Sequence, residues 1–257
     1  MSKLQALIFD MDGTMADTER DGHRVAFNRA FAKAGLDWDW SGELYGELLS
    51  VSGGKERMRY YITDYQPDFT PSTDLDEFIA DLHLSKSKYY QELLAEGSIP
   101  LRLGVQRLLT EAQQQGLRLA IATTSSRPNS KALLESTLPP EAVAWFEVVA
   151  AGDMVPEKKP APDVYNYVLQ AMDLDPQDCL VFEDSANGLK ASSQAGLKAV
   201  VTVNGDTQHQ DFSEAVLVLD HLGEPQQPFT VLAGEAGNHS YVDVALARYL
   251  HEQNCAD

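Results

Sequence analysis

"LIFDMDGT", residues 7–14, is an apolar run that stops at two aspartates two positions apart. Leu4 to Phe9 has the length and bounded apolarity of a buried strand. Asp10 then lies at the carboxyl end of that strand, where open parallel sheets collect ligands. Asp12 can share its face, since alternate residues of an extended chain point the same way, and Gly13 lets the chain turn. Taken alone, the pair is equally well read as an Asx-type turn. An EF-hand does not fit, because the glycine comes too early and no glutamate stands at the twelfth loop position.

The pattern outward from this strand predicts two zones. Residues 18–97 read as helical: apolar spacing at Val25, Ala26, Phe27, Ala30 and Phe31, a helix over 56–65 and another over 75–94. Trp38 and Trp40 are expected to pack within that zone. After Pro100, strands over 117–122, 146–151, 179–182, 198–203 and 216–219 alternate with helices over 105–115, 130–138, 162–172 and 187–195. That alternation predicts an α/β fold with a parallel sheet and helices on both faces. The Pro/Gln/Gly-rich stretch 223–237 reads as a loop, and 239–253 as a last helix.

Hydrophobic residues make up 44% of the 257, enough for a packed core. Lys plus Arg is 20 against 39 Asp plus Glu, a net charge of −19. Such a chain is a poor partner for nucleic acid or an anionic membrane, and an anionic substrate needs a local cationic site. Cys179 and Cys255 belong to no metal-type cluster and read as free thiols of a reducing compartment. No signal-peptide pattern opens the sequence, and no apolar stretch approaches the ~20 residues of a bilayer span. The expectation is a soluble, cytoplasmic protein and a monomer.

Further strand ends bear on Asp10 and Asp12. Thr123, Thr124 and Ser125 close one strand with hydroxyls and backbone N–H groups suited to a phosphate. Lys158 and Lys159 precede a Pro-initiated helix. Glu183 and Asp184 end a buried strand in two adjacent acids, which suits Mg²⁺, a hard cation with oxygen ligands. Carboxylate pair, hydroxyl, lysine and second carboxylate pair form an inventory suited to phosphoryl transfer.

With Asp-Met-Asp-Gly-Thr at 10–14, Thr123, Lys159 and Glu183-Asp184 in order, the sequence resembles the haloacid dehalogenase-like hydrolases over about residues 4–220. The resemblance implies a Rossmann-like core of residues 1–16 and 98–257 with an inserted all-helical cap, 17–97. It implies Asp10 as nucleophile forming an aspartyl-phosphate, Asp12 as general acid and base, and Mg²⁺ held by Asp10, Asp12, Glu183 and Asp184. Stretches 17–31, 53–58, 155–166 and 179–192 also resemble the CbbY-type subgroup, which contains phosphatases of xylulose-1,5-bisphosphate. A bisphosphate sugar needs a second cationic cradle. Lys55 and Arg57 on the Gly53-Gly54 loop, with Arg127, are candidates for it, and Asp17, Glu19 and His23 for sugar hydroxyls. The plainer reading of the cap loop is a turn leading into an ordinary charged helix, of Arg127 a decoration of a helix's first turn, and of His23 a packing residue.

Competing functions share much of this inventory. A mutase of the β-phosphoglucomutase kind and a small phosphatase such as a phosphoglycolate phosphatase use the same core. A non-catalytic phosphate sensor keeps no use for the full motif set, and a dehalogenase none for Mg²⁺ or the basic loop.

Overall fold

The computed structural model describes residues 3–97 and 99–254; Cys255 lies outside them. Its centre is a seven-stranded sheet in the order β3-β2-β1-β4-β5-β6-β7. The strands are β1 (Ala6–Phe9), β2 (Arg118–Ala122), β3 (Phe146–Ala150), β4 (Cys179–Glu183), β5 (Lys198–Thr202), β6 (Leu217–Leu219) and β7 (Val231–Gly234). Neighbours from β3 to β6 pair in parallel, and β7 runs antiparallel to β6. The α/β fold expected from the sequence is therefore present.

Alternation along β1 serves both faces of the sheet. Leu7 and Phe9 join one apolar cluster with Leu108 and Leu109 of α5 (Val105–Gln114) and Leu246 of α10 (Val244–Asn254). Ala6 and Ile8 join the other, with Val164 and Val168 of α8 (Asp163–Met172) and Leu189 of α9 (Ala186–Gln194). Phe9 stacks on Phe182 of β4 at 4.7 Å, and truncating such a buried ring costs about 3–5 kcal/mol. Cys179 packs in the second cluster, as expected.

The strand order reverses about β1: β2 and β3 lie to one side, β4 to β6 to the other. Phe9 pairs with Ile121 and with Phe182, so the residues that follow these strands converge above one crevice.

Between β1 and α5 lie a π-helical turn (Glu19–His23) and helices α1 (Arg24–Lys33), α2 (Gly42–Leu48), α3 (Gly54–Tyr65) and α4 (Leu75–Ala95). They enclose an apolar cluster of their own that includes Phe27, Phe31, Trp38, Trp40, Tyr45 and Tyr61. Trp38 and Trp40 pack there as expected. The helix that the spacing of Val25 to Phe31 predicts opens with the π turn, a widening that recurs at functional sites. Helix α2, unforeseen, starts where the Ser41 side chain accepts the Leu44 N–H at 3.2 Å. The insert's two crossing points lie side by side, bridged at Ala16 and Leu101.

Three expectations need correction. The last helix, expected over 239–253, starts only at Val244, where the Asp243 side chain accepts the Leu246 N–H at 2.7 Å. The 223–237 loop contains β7, an exposed edge strand whose short run gives no alternating pattern. Helix α6 (Arg127–Thr137), followed by the single turn α7 (Pro140–Val143), starts three residues before the expected 130, because Pro128 fits its first turn. No helix of the described residues is long and apolar enough to cross a membrane.

Candidate active site

Asp10, the first residue beyond β1, has its N–H bound to the Phe182 carbonyl at 2.9 Å. Its Oδ2 accepts from Thr14 at 3.0 Å and its Oδ1 from Lys159 Nζ at 2.7 Å. Lys159 also donates to Glu183 Oε1 at 2.6 Å and the Ala122 carbonyl at 2.8 Å, and so ties three strand ends together. Burial opposes its charge, yet Asp10 and Glu183 hold the proton on it. Burial also lifts the Asp10 carboxyl to about 7, against the pull of Lys159.

Asp12 is held differently. Its Oδ1 takes Thr18 Oγ1 at 2.5 Å and His23 Nε2 at 3.0 Å, and its Oδ2 takes Ser125 Oγ at 2.5 Å. Burial alone would raise this carboxyl; His23, Ser125 and Thr18 reverse that and keep it well below the usual range. Two aspartates of one short loop are thus driven apart in proton affinity.

Asp10, Glu183 and Asp184 each offer a carboxylate oxygen, all within 4.8 Å of one another and all buried. Burial, then the charges of Asp10 and Glu183, push the Asp184 carboxyl well above its ordinary value. One ammonium faces these three acids, so a hard dication with oxygen ligands suits the cluster. Asp12 is turned to its own three donors instead. Around the acids the backbone is close: a Cβ at Gly13 would lie 2.2 Å from Asp184 Oδ2, and one at Gly188 2.0 Å from the Glu183 carboxyl. Tyr165 Oη, unforeseen, donates to Glu183 Oε1 at 2.5 Å.

Two cavities meet over these residues. One of about 370 Å³ reaches Asp10, Lys159 and Asp184; the other, of about 930 Å³, reaches His23, Gly53, Gly54, Lys55 and Ser125. Asp12, Glu19, Arg57 and Thr124 line both. Thr123 is buried, its Oγ1 accepting the Ser125 N–H at 3.0 Å. Lys55 is exposed at the rim of the larger cavity.

Other candidates are engaged within the protein. Arg57 donates to the carbonyls of Leu48 at 3.1 Å and Val51 at 3.3 Å and to Tyr45 Oη at 2.8 Å. Glu19 receives Tyr45 Oη at 2.5 Å and lies 3.7 Å from Arg57. The missing Cβ of Gly54 makes room for His83, and that of Gly53 for Glu56 and Lys158. Asp17 is largely exposed, pairs with Arg102 at 3.3 Å and lines neither cavity. Arg127 is exposed on the first turn of α6, likewise outside both linings. The structure does not bring these last two to the site.

Lys86 was not foreseen. It is buried on α4, with Nζ 2.7 Å from His23 Nδ1. In the sequence it is one of two lysines in Ser-Lys-Ser-Lys, with nothing to separate it from a solvated helix face.

A carboxylate just beyond the central strand, fixed by a buried lysine and flanked by a metal-type acid cluster, is the layout of a phosphoryl-transfer hydrolase. Residues 4–196 match the haloacid dehalogenase-like hydrolase family. The chain belongs to that family and is a phosphatase of its type. It is similar to the plasmid-borne protein CbbY of Cupriavidus necator, 44% identical over 248 residues, covering 96% of this chain and 97% of that one. It is also similar to the crystal structure of CbbY from Rhodobacter sphaeroides in complex with phosphate: TM-score 0.78, 43% identity, 85% of this chain and 94% of that one. A mutant of the same R. sphaeroides protein, in complex with xylulose-1,5-bisphosphate, matches equally well.

Proposed function

We propose that the chain is a Mg²⁺-dependent phosphatase of a sugar bisphosphate, xylulose-1,5-bisphosphate foremost, working through an aspartyl-phosphate. The observation that carries this reading is the divergence of Asp10 and Asp12: one carboxylate bound to Lys159 and the acid cluster, the other held by His23, Ser125 and Thr18. The likeness to a protein whose mutant was crystallised with that bisphosphate supports the substrate.

In the first step a carboxylate oxygen of Asp10 attacks phosphorus and the bond from phosphorus to the sugar oxygen breaks. A proton on Asp12 passes to that oxygen. The dianionic phosphate beside Asp12 raises its proton affinity, which is low in the free protein. In the second step water gives a proton to Asp12 and attacks phosphorus. The bond to Asp10 breaks, and phosphate leaves. Lys159 neutralises Asp10 and positions it throughout. Asp10, Glu183 and Asp184, with the Asp12 backbone carbonyl, would hold Mg²⁺. The ion, when bound, offsets the repulsion between an anionic nucleophile and an anionic substrate.

Residues 17–97 act as a cap over a core of 1–16 and 98–257, and Lys55 and Arg57 face the remote end of the substrate. Phosphate release from xylulose-1,5-bisphosphate with Mg²⁺ tests the reading. Asp10→Asn is expected to lower it at least ~10³-fold; undiminished turnover removes the aspartyl-phosphate. Conversion of β-glucose 1-phosphate to glucose 6-phosphate without net phosphate release would assign a mutase instead.

A further inference from the structure

Helix α3 opens with Gly54-Lys55-Glu56, and the side chain of Glu56 folds back over the N-cap Gly53 to reach a core residue. Lys158 Nζ meets both its oxygens, at 2.6 and 2.7 Å, across 102 positions of sequence. Lys158 precedes Lys159, which is fixed to Asp10 and Glu183, so its backbone is anchored to the reacting groups. Glu56 lies between Lys55 and Arg57, both on cavity walls. Gly53, at φ +94°, is shaped to this pair: a Cβ there would lie 2.2 Å from Glu56 Oε2 and 2.8 Å from Lys158 Nζ. No other residue type leaves that space in that backbone conformation.

A second contact pins the other end of the same segment. Asn187 Nδ2 donates to the Ser50 carbonyl at 3.1 Å and to Ser52 Oγ at 3.2 Å. Asn187 stands three residues after Asp184 and two after Ser185, the N-cap of α9. Residues 50–56 are thus tied at one end to the loop carrying Asp184 and at the other to the loop carrying Lys159.

We infer that Glu56 and Lys158 are a positioning pair that holds the 50–56 segment of the insert down over Asp10 while a long, doubly anionic substrate is bound. Neither residue takes part in the bond changes. The pair acts through Lys55 and Arg57, by lowering the cost of keeping them opposite the core. A small ester that stops short of those residues gains nothing from it. The role of the substrate rests on the phosphatase reading; the holding of the insert does not.

Two measurements test it. Glu56→Ala and Lys158→Ala are each expected to raise KM for xylulose-1,5-bisphosphate about fivefold, the upper range for a partly exposed pair, with kcat little changed. The double variant should be no worse than the poorer single, and the exchange Glu56→Lys/Lys158→Glu should recover most of the loss. Hydrolysis of p-nitrophenyl phosphate should be unaltered in all of them. Separately, spin labels at Arg29→Cys and Lys190→Cys, both exposed, in a Cys255→Ser background, report the distance from insert to core with Mg²⁺ and inorganic phosphate. Removing either partner should broaden that distribution toward longer distances, and the exchange should restore it. Unchanged KM and unchanged distances overturn the inference. So does a loss confined to Lys158→Ala with Glu56→Ala silent, which would put Lys158 on the substrate. If the wild type releases no phosphate from the bisphosphate, the substrate reading fails while the distances still judge the pair.

Discussion

Lys86 Nζ lies 2.7 Å from His23 Nδ1, and His23 Nε2 lies 3.0 Å from Asp12 Oδ1. An ammonium can only donate, so His23 accepts at Nδ1 and carries its proton on Nε2, aimed at Asp12. Lys86 therefore sets the tautomer of the residue that holds the Asp12 carboxylate. The arrangement is costly. Burial brings Lys86 from 10.5 down to about 8, partly offset by Glu19 and Asp12. The folded state then binds fewer protons than the unfolded between about pH 8 and 10.5. Wild-type stability should rise with pH across that window and carry the full penalty below it. Lys86→Met is expected to lower kcat about tenfold at neutral pH while leaving the protein about 1–3 kcal/mol more stable. Turnover paired with thermal unfolding checks both signs, and a variant that loses stability and keeps kcat would reverse the assignment.

Gly188 on α9 leaves room for the Glu183 carboxyl, which accepts from Lys159 at 2.6 Å and Tyr165 at 2.5 Å. Since a Cβ at 188 would lie 2.0 Å from that carboxyl, Gly188→Ala must displace Glu183 from both donors. A loss of ~10²-fold in kcat/KM is expected, with weaker Mg²⁺ binding by calorimetry. Tyr165→Phe removes one donor and no space, so it should cost far less, about 1–2 kcal/mol of stability.

The carboxylates of the site were legible because a strand buried on both faces tolerates no charge inside it, so Asp10 after Leu-Ile-Phe and Glu183-Asp184 after Leu-Val-Phe announce strand ends. Their neighbours across the insert were not. Lys86 and Lys88 look alike in sequence, and only the packing of α4 against α1 buries the first and exposes the second. Asp17, expected at sugar hydroxyls, turns instead to Arg102, a residue with no motif around it. Strand β7 stayed hidden because all four of its residues are exposed, so no buried alternation marks it.

Arg102 follows the second crossing of the insert and gathers the chain around it. It donates to the carbonyls of Gly13, Thr202, Val203 and Asp220 and to Thr202 Oγ1. The lip of the Asp10 loop is thereby joined to the ends of β5 and β6. A lysine offers three donors from one point and cannot fan across four carbonyls. Arg102→Lys is expected to lose about 3 kcal/mol or more, since several buried acceptors go unpaired, whereas Asp17→Asn, which touches only the exposed partner, should lose under about 1 kcal/mol. Denaturant melts of the two variants decide this, and equal losses would mean that the carbonyl contacts contribute little.

The raised carboxyls of the acid cluster predict that a cation bound there would bind in a pH-dependent way. Burial lifts Asp10 from 3.8 to about 7, and Asp184 also rises. In the metal-free protein a proton bound to Asp10 contributes stability that is complete below pH 3.8 and is lost as pH climbs through 7. His83 works the other way: burial first, then Lys86, Lys55 and Lys158, bring it from 6.5 to about 3, so its contribution grows as pH rises between those values. Lining the larger cavity, His83 is common to samples with and without metal and cancels in their difference. Mg²⁺ competes with the protons of the cluster, so its affinity should rise about tenfold per pH unit up to roughly pH 7 and level off above. The shift in melting temperature on adding about 10 mM MgCl₂ should accordingly be small near pH 5.5 and several degrees near pH 8. Asp184→Asn should abolish the shift at both pH values, because the cluster then lacks one of its three oxygen ligands. A shift of equal size at both pH values would mean that the cation meets carboxylates already ionised in the free protein.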